Sequence, residues 1–389
     1  MEGTTEQVEQ LIMAAGGRAT ELATTVEEIG TERVVALIVE ELVFRSRVPT
    51  NTHLMLVQLD LTHNKETFTY TLSVQEGHPT TAAEGSRETA IARIEFELTE
   101  LIRALYGSPR QRDAGTHRTQ LLLNQPTVWA AYKDLLKEAW SSIGLAIDTV
   151  LSGCSSRYPD LGELSVRHGS DKWGTLHWFT PHYERHLRDL RNEPIRILEI
   201  GIGGYKDPDS GGQSLLMWKS YFPRGIITGI DIFAKHGLDQ ARIRTVQGDQ
   251  NDPTFLQTLA TQHGPFDIII DDGSHINEHI LTSFNTLFPH LRPGGFYVIE
   301  DLATTYWPGF GGAEGPVSPP HTSIGMLKSL LDHLHYQERP GDPGDPPAEH
   351  IVGVHAYHNL AFIEKGVNAE GAVPDWIPRS FDELLTGPE

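Results

Sequence analysis

Cysteine is all but missing from this chain. Cys154 is the only one among 389 residues, which excludes an intramolecular disulfide framework and any cysteine-rich zinc or iron–sulfur centre. It is expected to be an ordinary packed thiol. Long apolar runs are missing too, since none reaches the roughly 18 to 20 residues that a spanning helix requires. The opening residues, MEGTTEQVEQ, lack the basic-then-apolar order of a secretory leader, so a cytoplasmic protein with no membrane partner is expected. Basic residues are in deficit. Against 52 Asp and Glu stand 31 Lys and Arg, a formal net charge of −21. Phosphate backbones are gripped by clustered Lys and Arg, so no nucleic-acid partner is expected. The same acidity favours solubility and attracts cations locally.

What is present is enough apolar material, 39% of residues, for a real core, on a chain longer than one domain usually runs. Residues 1–150 read as an α+β auxiliary domain. Val34, Leu37, Ile38 and Leu42 recur at helical spacing behind a candidate cap, Thr31. Leu54 to Leu61 and Thr67 to Val74 read as strands joined by HNKE. The second alternates cleanly, with Phe68, Tyr70, Leu72 and Val74 on one face. Ile91, Ile94, Leu98, Leu101 and Leu105 suggest one helical stripe, and another helix is expected over Val128 to Val150. No constellation of reactive side chains occurs here, so packing, oligomerisation or a substrate wall is the expected role.

After a linker over residues 151–189, the texture of residues 190–389 changes to strand–helix alternation. Strands are expected at Arg196 to Ile200, Ile226 to Ile230, Arg244 to Gln247, Phe266 to Ile270 and Tyr297 to Ile299. Their nearly continuous apolar runs suit a parallel sheet covered on both faces. Helices are expected over Gln213 to Tyr221 and Ile276 to Leu291. This is an α/β, doubly wound domain, whose ligands gather at the carboxyl ends of the strands. The Gly/Pro-rich stretch 307–323 directly follows a strand end and suits an active-site lid. Residues 338–349, ERPGDPGDPPAE, read as a solvated excursion. IVGVHAY and LAFIEK read as a closing hairpin turned at His358–Asn359.

ILEIGIGGY, residues 197–205, runs a strand into a glycine turn. Gly201 and Gly203 allow the backbone to turn and to approach a ligand without Cβ clashes. A dinucleotide site calls for G-x-G-x-x-G, but Lys206 stands at the sixth position. The order Glu199-x-Gly201-x-Gly203 resembles instead the first motif of class I S-adenosylmethionine-dependent methyltransferases. That resemblance implies a Rossmann-like fold with the glycine turn under the amino-acid part of the cofactor. It implies Asp231, in ITGIDIF, at the ribose, and Asp249 or Gln250, in QGDQND, near the adenine.

FDIIIDDGSHINEH, residues 266–279, ends an apolar run on Asp271 and Asp272, with His275 close behind. YVIEDL, residues 297–302, puts Glu300 and Asp301 at the end of the next strand. In a doubly wound sheet these ends are neighbours. Several carboxylates gathered there cannot all stay ionised without a cation, and hard oxygen donors suit Mg²⁺. His275 is open to three readings: ligand, core histidine or base. Magnesium's preference for oxygen weakens the first, and a near-neutral imidazole beside a metal-bound hydroxyl suits the last. His279, one turn on, is a lesser candidate.

HGSDKWGTLHWFTPHYERHL, LEIGIGGY, IDDGSHINEH and GGFYVIEDLATTYWP together are similar to the metal-dependent macrolide sugar O-methyltransferases of the tylosin and mycinamicin type. The likeness runs from about residue 165 to 365, and that family also carries a helical N-terminal auxiliary domain. It implies Mg²⁺ on Asp272, Glu300 and Asp301, with His275 as base and Asp271 in a supporting part. It also implies Thr175, Tyr205, Asp231 and Asp249 around S-adenosylmethionine, and 169–183 reads either as a packed helix and loop or, consistent with Thr175, as a cofactor cover. The implied substrate is a macrolide glycoside methylated on a deoxysugar hydroxyl, the 2''-hydroxyl, and the implied assembly is a homotetramer. Tyr306, Trp307 and Phe310 would offer apolar faces to a macrolide or sugar ring. Rival readings are methylation of another diol (a rhamnosyl polyketide or a catechol), an NAD-linked sugar oxidoreductase, and a binding module whose function lies in the N-terminal domain.

Overall fold

The structure, a computed structural model, describes residues 2–109, 117–133, 136–154, 159–339 and 350–386. The chain forms two compact bodies. One comprises Met1–Pro194 with Leu216–Ile226 and Asp239–Arg244; the other comprises Ile195–Leu215, Ile227–Leu238 and Thr245–Glu389.

In the first body, β1 (Met55–His63), β2 (Glu66–Val74), β3 (Thr81–Glu84), β4 (Ala92–Glu97) and β5 (Arg118–Leu121) form a sheet in the order β3-β2-β1-β4-β5. The HNKE hairpin turns on Asn64 and Lys65, both at positive φ (48° and 71°), the pattern of a tight two-residue turn that matches strand twist. The single stripe expected from Ile91 to Leu105 is two elements. Ala92, Ile94 and Phe96 alternate inward along β4, which pairs in parallel with β1, and a helix begins only at Leu98 and ends at Tyr106. Both periods fit the apolar residues there, and pairing with β1 decides between them. Thr31 is not a cap but the first helical residue of Thr31–Arg45, behind Gly30 at φ 94°, with no side-chain cap. The expected helix over Val128 to Val150 is divided into Pro126–Tyr132 and Leu136–Ser152. The 151–189 stretch holds helices Leu161–His168 and Thr180–Leu187.

This body buries an ionic knot. Glu41 and Arg242 are fully buried and lie 2.5 Å apart, and Arg45 meets the same carboxylate at 2.7 Å. Arg242 also donates to the carbonyls of Lys219, Phe222 and Gly225 at 3.0–3.1 Å. Burial alone would raise the Glu41 pKa, but the charges of Arg242, Arg45 and Lys219 overturn that and hold it well below the carboxylate range. Lys219 is pushed by burial to about 8, against the pull of Glu41. Its ammonium rests 4.1 Å from the Phe44 ring and donates to Gln240 at 2.7 Å.

The second sheet holds β6 (Arg196–Ile200), β7 (Ile226–Asp231), β8 (Ile243–Gln247), β9 (Phe266–Asp271), β10 (Leu291–Glu300), β11 (Ile351–Tyr357) and β12 (Leu360–Lys365). Their order is β11-β12-β10-β9-β6-β7-β8. β6, β9 and β10 run parallel, as their apolar runs predict, while β12 is antiparallel to both β10 and β11. The sheet is therefore mixed, and the expected hairpin supplies its antiparallel edge. β10 starts at Leu291 rather than Tyr297, through an irregular register between Leu291 and Phe296. Leu198, Ile200, Ile269, Tyr297 and Ile299 pack with Phe284 and Leu287 of helix Asn277–Leu287 in one core. Each such fully buried side chain contributes about 1.5–3 kcal/mol. No helix among the described residues is long and apolar enough to cross a membrane. Most of the excursion expected at 338–349 lies outside the described residues.

Candidate active site

The site sits where β6, β9 and β10 end. β6 stops at Ile200, and Gly201 turns at φ 91°. A Cβ on Gly201 would stand 2.1 Å from the carbonyl oxygen of Asp272, so only glycine lets the exit of β9 press against this turn. The Asp272 amide in return donates to the Ile200 carbonyl at 3.0 Å. The glycine turn therefore places an acid as well as a ligand. Gly203 has φ 76° but faces open space, so its requirement is conformational alone. Tyr205 also holds a positive φ, 49°, and is 86% exposed, poised on the turn rather than packed beneath it.

Asp231 closes β7, and its carboxylate accepts from the amides of Ile202 (3.0 Å) and Phe233 (2.9 Å). Those bonds fix it against the glycine turn and leave lone pairs for a ligand's hydroxyls. Asp249 is exposed beyond β8 and accepts from the Asn251 amide at 2.8 Å. Gln250 is buried and spans two groups, donating to Asp271 at 3.1 Å and accepting from the Ser274 amide at 2.6 Å. Thr175 belongs to the first body, in the exposed turn between Trp173 and Trp178.

Asp272, His275 and Asp301 come together, with one donor atom from each lying within 4.8 Å of the others. His275 Nε2 is 3.6 Å from Asp301 Oδ2, and the two side chains are 27% and 23% exposed. Both residues hold left-handed backbone, φ 56° and 55°, which costs a non-glycine residue about 1–3 kcal/mol and persists where surroundings enforce it. Two carboxylates beside an imidazole, partly open to solvent, suit a hard divalent cation that retains positions for water or substrate oxygens. Glu300, the last residue of β10, is only 1% exposed, lies opposite Leu360, and is not one of the three gathered residues.

Asp271 faces inward. Its carboxylate accepts from Ser283 Oγ, from Tyr297 at 3.3 Å and from Gln250. Burial pushes its pKa up to about 6, although the Ser283 and Gln250 bonds pull the other way. Through Gln250 it ties down the Asp272–His275 loop. Ser274 extends the tie, with its hydroxyl 2.9 Å from His279 Nδ1. Asn277 anchors the next loop: its amide donates to the carbonyls of Thr304 (3.2 Å) and Phe310 (3.0 Å), and its oxygen accepts from the Ser323 amide (2.8 Å). The base of the 307–323 stretch is thus fixed to helix Asn277–Leu287, with Trp307 left half-exposed. None of these tethers carries a local sequence signal.

Two family models match the chain, the MycE methyltransferase N-terminal domain over residues 8–117 and a methyltransferase domain over 207–302. Demethylmacrocin O-methyltransferase of Streptomyces fradiae is 52% identical, over 97% of this chain and 96% of its own. Mycinamicin VI 2''-O-methyltransferase of Micromonospora griseorubida is 48% identical, over 97% and 95%. A tetracenomycin-C rhamnosyl 3'-O-methyltransferase of Streptomyces olivaceus is 45% identical, over 96% of each chain. The solved structure of MycE methyltransferase in complex with Mg, SAH and mycinamycin VI superposes with a TM-score of 0.92 at 47% identity, covering 98% of both chains.

Proposed function

The chain belongs to the MycE-type macrolide sugar O-methyltransferase family, and from that membership we propose that it methylates a deoxysugar hydroxyl of a macrolide or related polyketide glycoside. S-adenosylmethionine is the methyl donor and Mg²⁺ the metal in this reading, and the favoured position is a macrolide 2''-hydroxyl. The observation that carries it is the gathering of Asp272, His275 and Asp301 at the strand ends beside the glycine turn.

Asp272 and Asp301 would hold the ion, and Glu300, adjacent in sequence to Asp301, would complete the proposed acid set. When bound, Mg²⁺ compensates these carboxylates and lowers the pKa of a hydroxyl that it touches. His275 would accept the proton of the sugar hydroxyl at Nε2, the nitrogen turned towards Asp301. The Gly201–Tyr205 turn receives the donor's amino-acid part, Asp231 its ribose, and Asp249 and Gln250 flank the adenine. Since the Gln250 side chain is engaged by Asp271 and Ser274, Asp249 is the one of the two with an exposed side chain. Thr175 belongs to the cofactor cover, and a cytoplasmic homotetramer completes the reading.

The test is turnover of a macrolide bearing the free deoxysugar diol, with the new methyl located by NMR. Methylation at the 2''-oxygen supports the finer reading; methylation at the 3'-oxygen of a rhamnosyl polyketide, as the Streptomyces olivaceus relative's name states for that enzyme, replaces it. No methylated product with either substrate, under conditions where Mg²⁺ is present, overturns it. His275→Ala is expected to lower kcat by about 10²–10⁴-fold while Mn²⁺ affinity stays near that of the parent. A parallel loss of Mn²⁺ affinity makes His275 a ligand instead of the base.

A further inference from the structure

β12 lies antiparallel to β10 with Leu360 opposite Glu300. The next residue on each side, Asn359 and Asp301, has left the ladder, and both hold left-handed backbone, φ 65° and 55°. Their side chains meet there. Asn359 Nδ2 donates to Asp301 Oδ1 at 2.7 Å, and Asn359 Oδ1 accepts from the Ala303 amide at 2.7 Å. The orientation of the amide is determined, because a backbone N–H only donates and so must face the oxygen. The amine is then directed at the carboxylate. One oxygen of Asp301 is occupied in this way, while the other, Oδ2, is the one that faces His275.

We infer that Asn359 is a positioning residue for the metal site: it fixes the rotation of the Asp301 carboxylate and so presents Oδ2 to the ion. The inference rests on the proposed reading that Asp272, Glu300 and Asp301 hold the metal. The Asn359 amide bridges a proposed ligand and the start of the 3₁₀ turn Leu302–Tyr306, so it orders the ligand and the backbone that carries it together. Hydrogen bonding from behind a ligating carboxylate is worth about 10–100-fold in metal affinity. A carboxylate at 359 could not replace the amide, because it has no proton to donate to Asp301. Glycine could keep the left-handed turn but not the tether.

The experiment is Mn²⁺ binding, read by the electron paramagnetic resonance of the free ion, on the full chain and on Asn359→Gly, Asn359→Ala and Asp301→Asn. S-adenosylhomocysteine affinity and thermal unfolding are measured on the same samples. Asn359→Gly is expected to weaken Mn²⁺ about 10–100-fold with S-adenosylhomocysteine affinity unchanged, and the methylation defect is expected to be rescued by excess Mg²⁺. Asn359→Ala should show the same loss plus some instability from its backbone. Mn²⁺ affinity within twofold of the parent in Asn359→Gly overturns the inference. So does a loss shared equally by S-adenosylhomocysteine and thermal stability, which marks a structural role only. Failure of the parent to bind Mn²⁺, or undiminished binding by Asp301→Asn, overturns the metal reading and the inference with it. The Asp301→Asn sample therefore separates the two failures.

Discussion

A single methyl group is enough to break the link between the two halves of the site. Gly201 is where the glycine turn and the acidic loop touch, and a Cβ there would collide with the Asp272 carbonyl rather than with a movable side chain. Gly201→Ala is expected to abolish detectable methylation and to weaken both S-adenosylhomocysteine and Mn²⁺ in calorimetry. Gly203→Ala meets open space and should cost only the left-handed backbone penalty, roughly 1–2 kcal/mol of stability. Selective loss of the donor alone in Gly201→Ala would separate the turn from the acid and contradict the contact described here. Asp271 illustrates a different division of labour. It is adjacent to Asp272 but spends its oxygens on Ser283, Tyr297 and Gln250, so the paired acids at the end of β9 face opposite ways.

The loops around the site are held by amide side chains reaching across elements. Gln250→Leu leaves Asp271 and the Ser274 amide each short of a partner in a buried setting, a penalty of about 1–3 kcal/mol per group. It is expected to lower kcat more than tenfold and to accelerate hydrogen exchange at Ser274 and His275. Asn277→Ala removes three bonds to the 304–323 stretch, and limited proteolysis should then cut between Tyr306 and Thr322 faster than in the parent. Unchanged cleavage would place the anchoring elsewhere. At this scale the sequence was informative where chemistry is local and periodic. Apolar runs marked β6, β7 and β9 to within a residue, and acids at strand ends marked Asp272 and Asp301. It was ambiguous at Ile91–Leu105, where inward positions satisfy two periods and a distant strand settles the matter. It placed Gln250 near the adenine and Asn359 in a hairpin turn but carried no sign of the tethers that Gln250, Asn277 and Asn359 make, because their partners are set by the register of segments far apart in the chain. Thr31 misled for a related reason: a residue of capping type stands one position inside the helix that it was expected to cap.

Across the molecule, acid should act in two windows through the first body. His168 is held down to about 4, first by burial and then by Arg167 and Lys219, so the unfolded chain takes its proton before the folded one does. Stability from this group is complete above about 6.5 and is lost as pH falls from there through 4. Glu41 is depressed in the usual carboxylate sense; its contribution is present above the unfolded value of about 4.3 and declines as pH falls below it. Urea titrations followed by tryptophan fluorescence should show both declines. His168→Gln should flatten the upper one. Glu41→Gln should remove the lower one while costing about 3–5 kcal/mol at neutral pH, since it leaves Arg242 and its neighbours buried without a counter-charge. A Glu41→Gln protein as stable as its parent would show that the carbonyls around Arg242 suffice.

The antiparallel edge has a consequence in time as well as in space. A ribosome releases β10 before helix Ser323–His333 and well before β12. During that interval the outer side of β10, apolar and unpaired, is an open template for another chain's strand. The hairpin closes that edge by the same ladder that brings Asn359 beside Asp301. Protection from misassembly and the Asn359 tether on Asp301 then arrive in one step, and a nascent chain stalled ahead of Leu360 has neither.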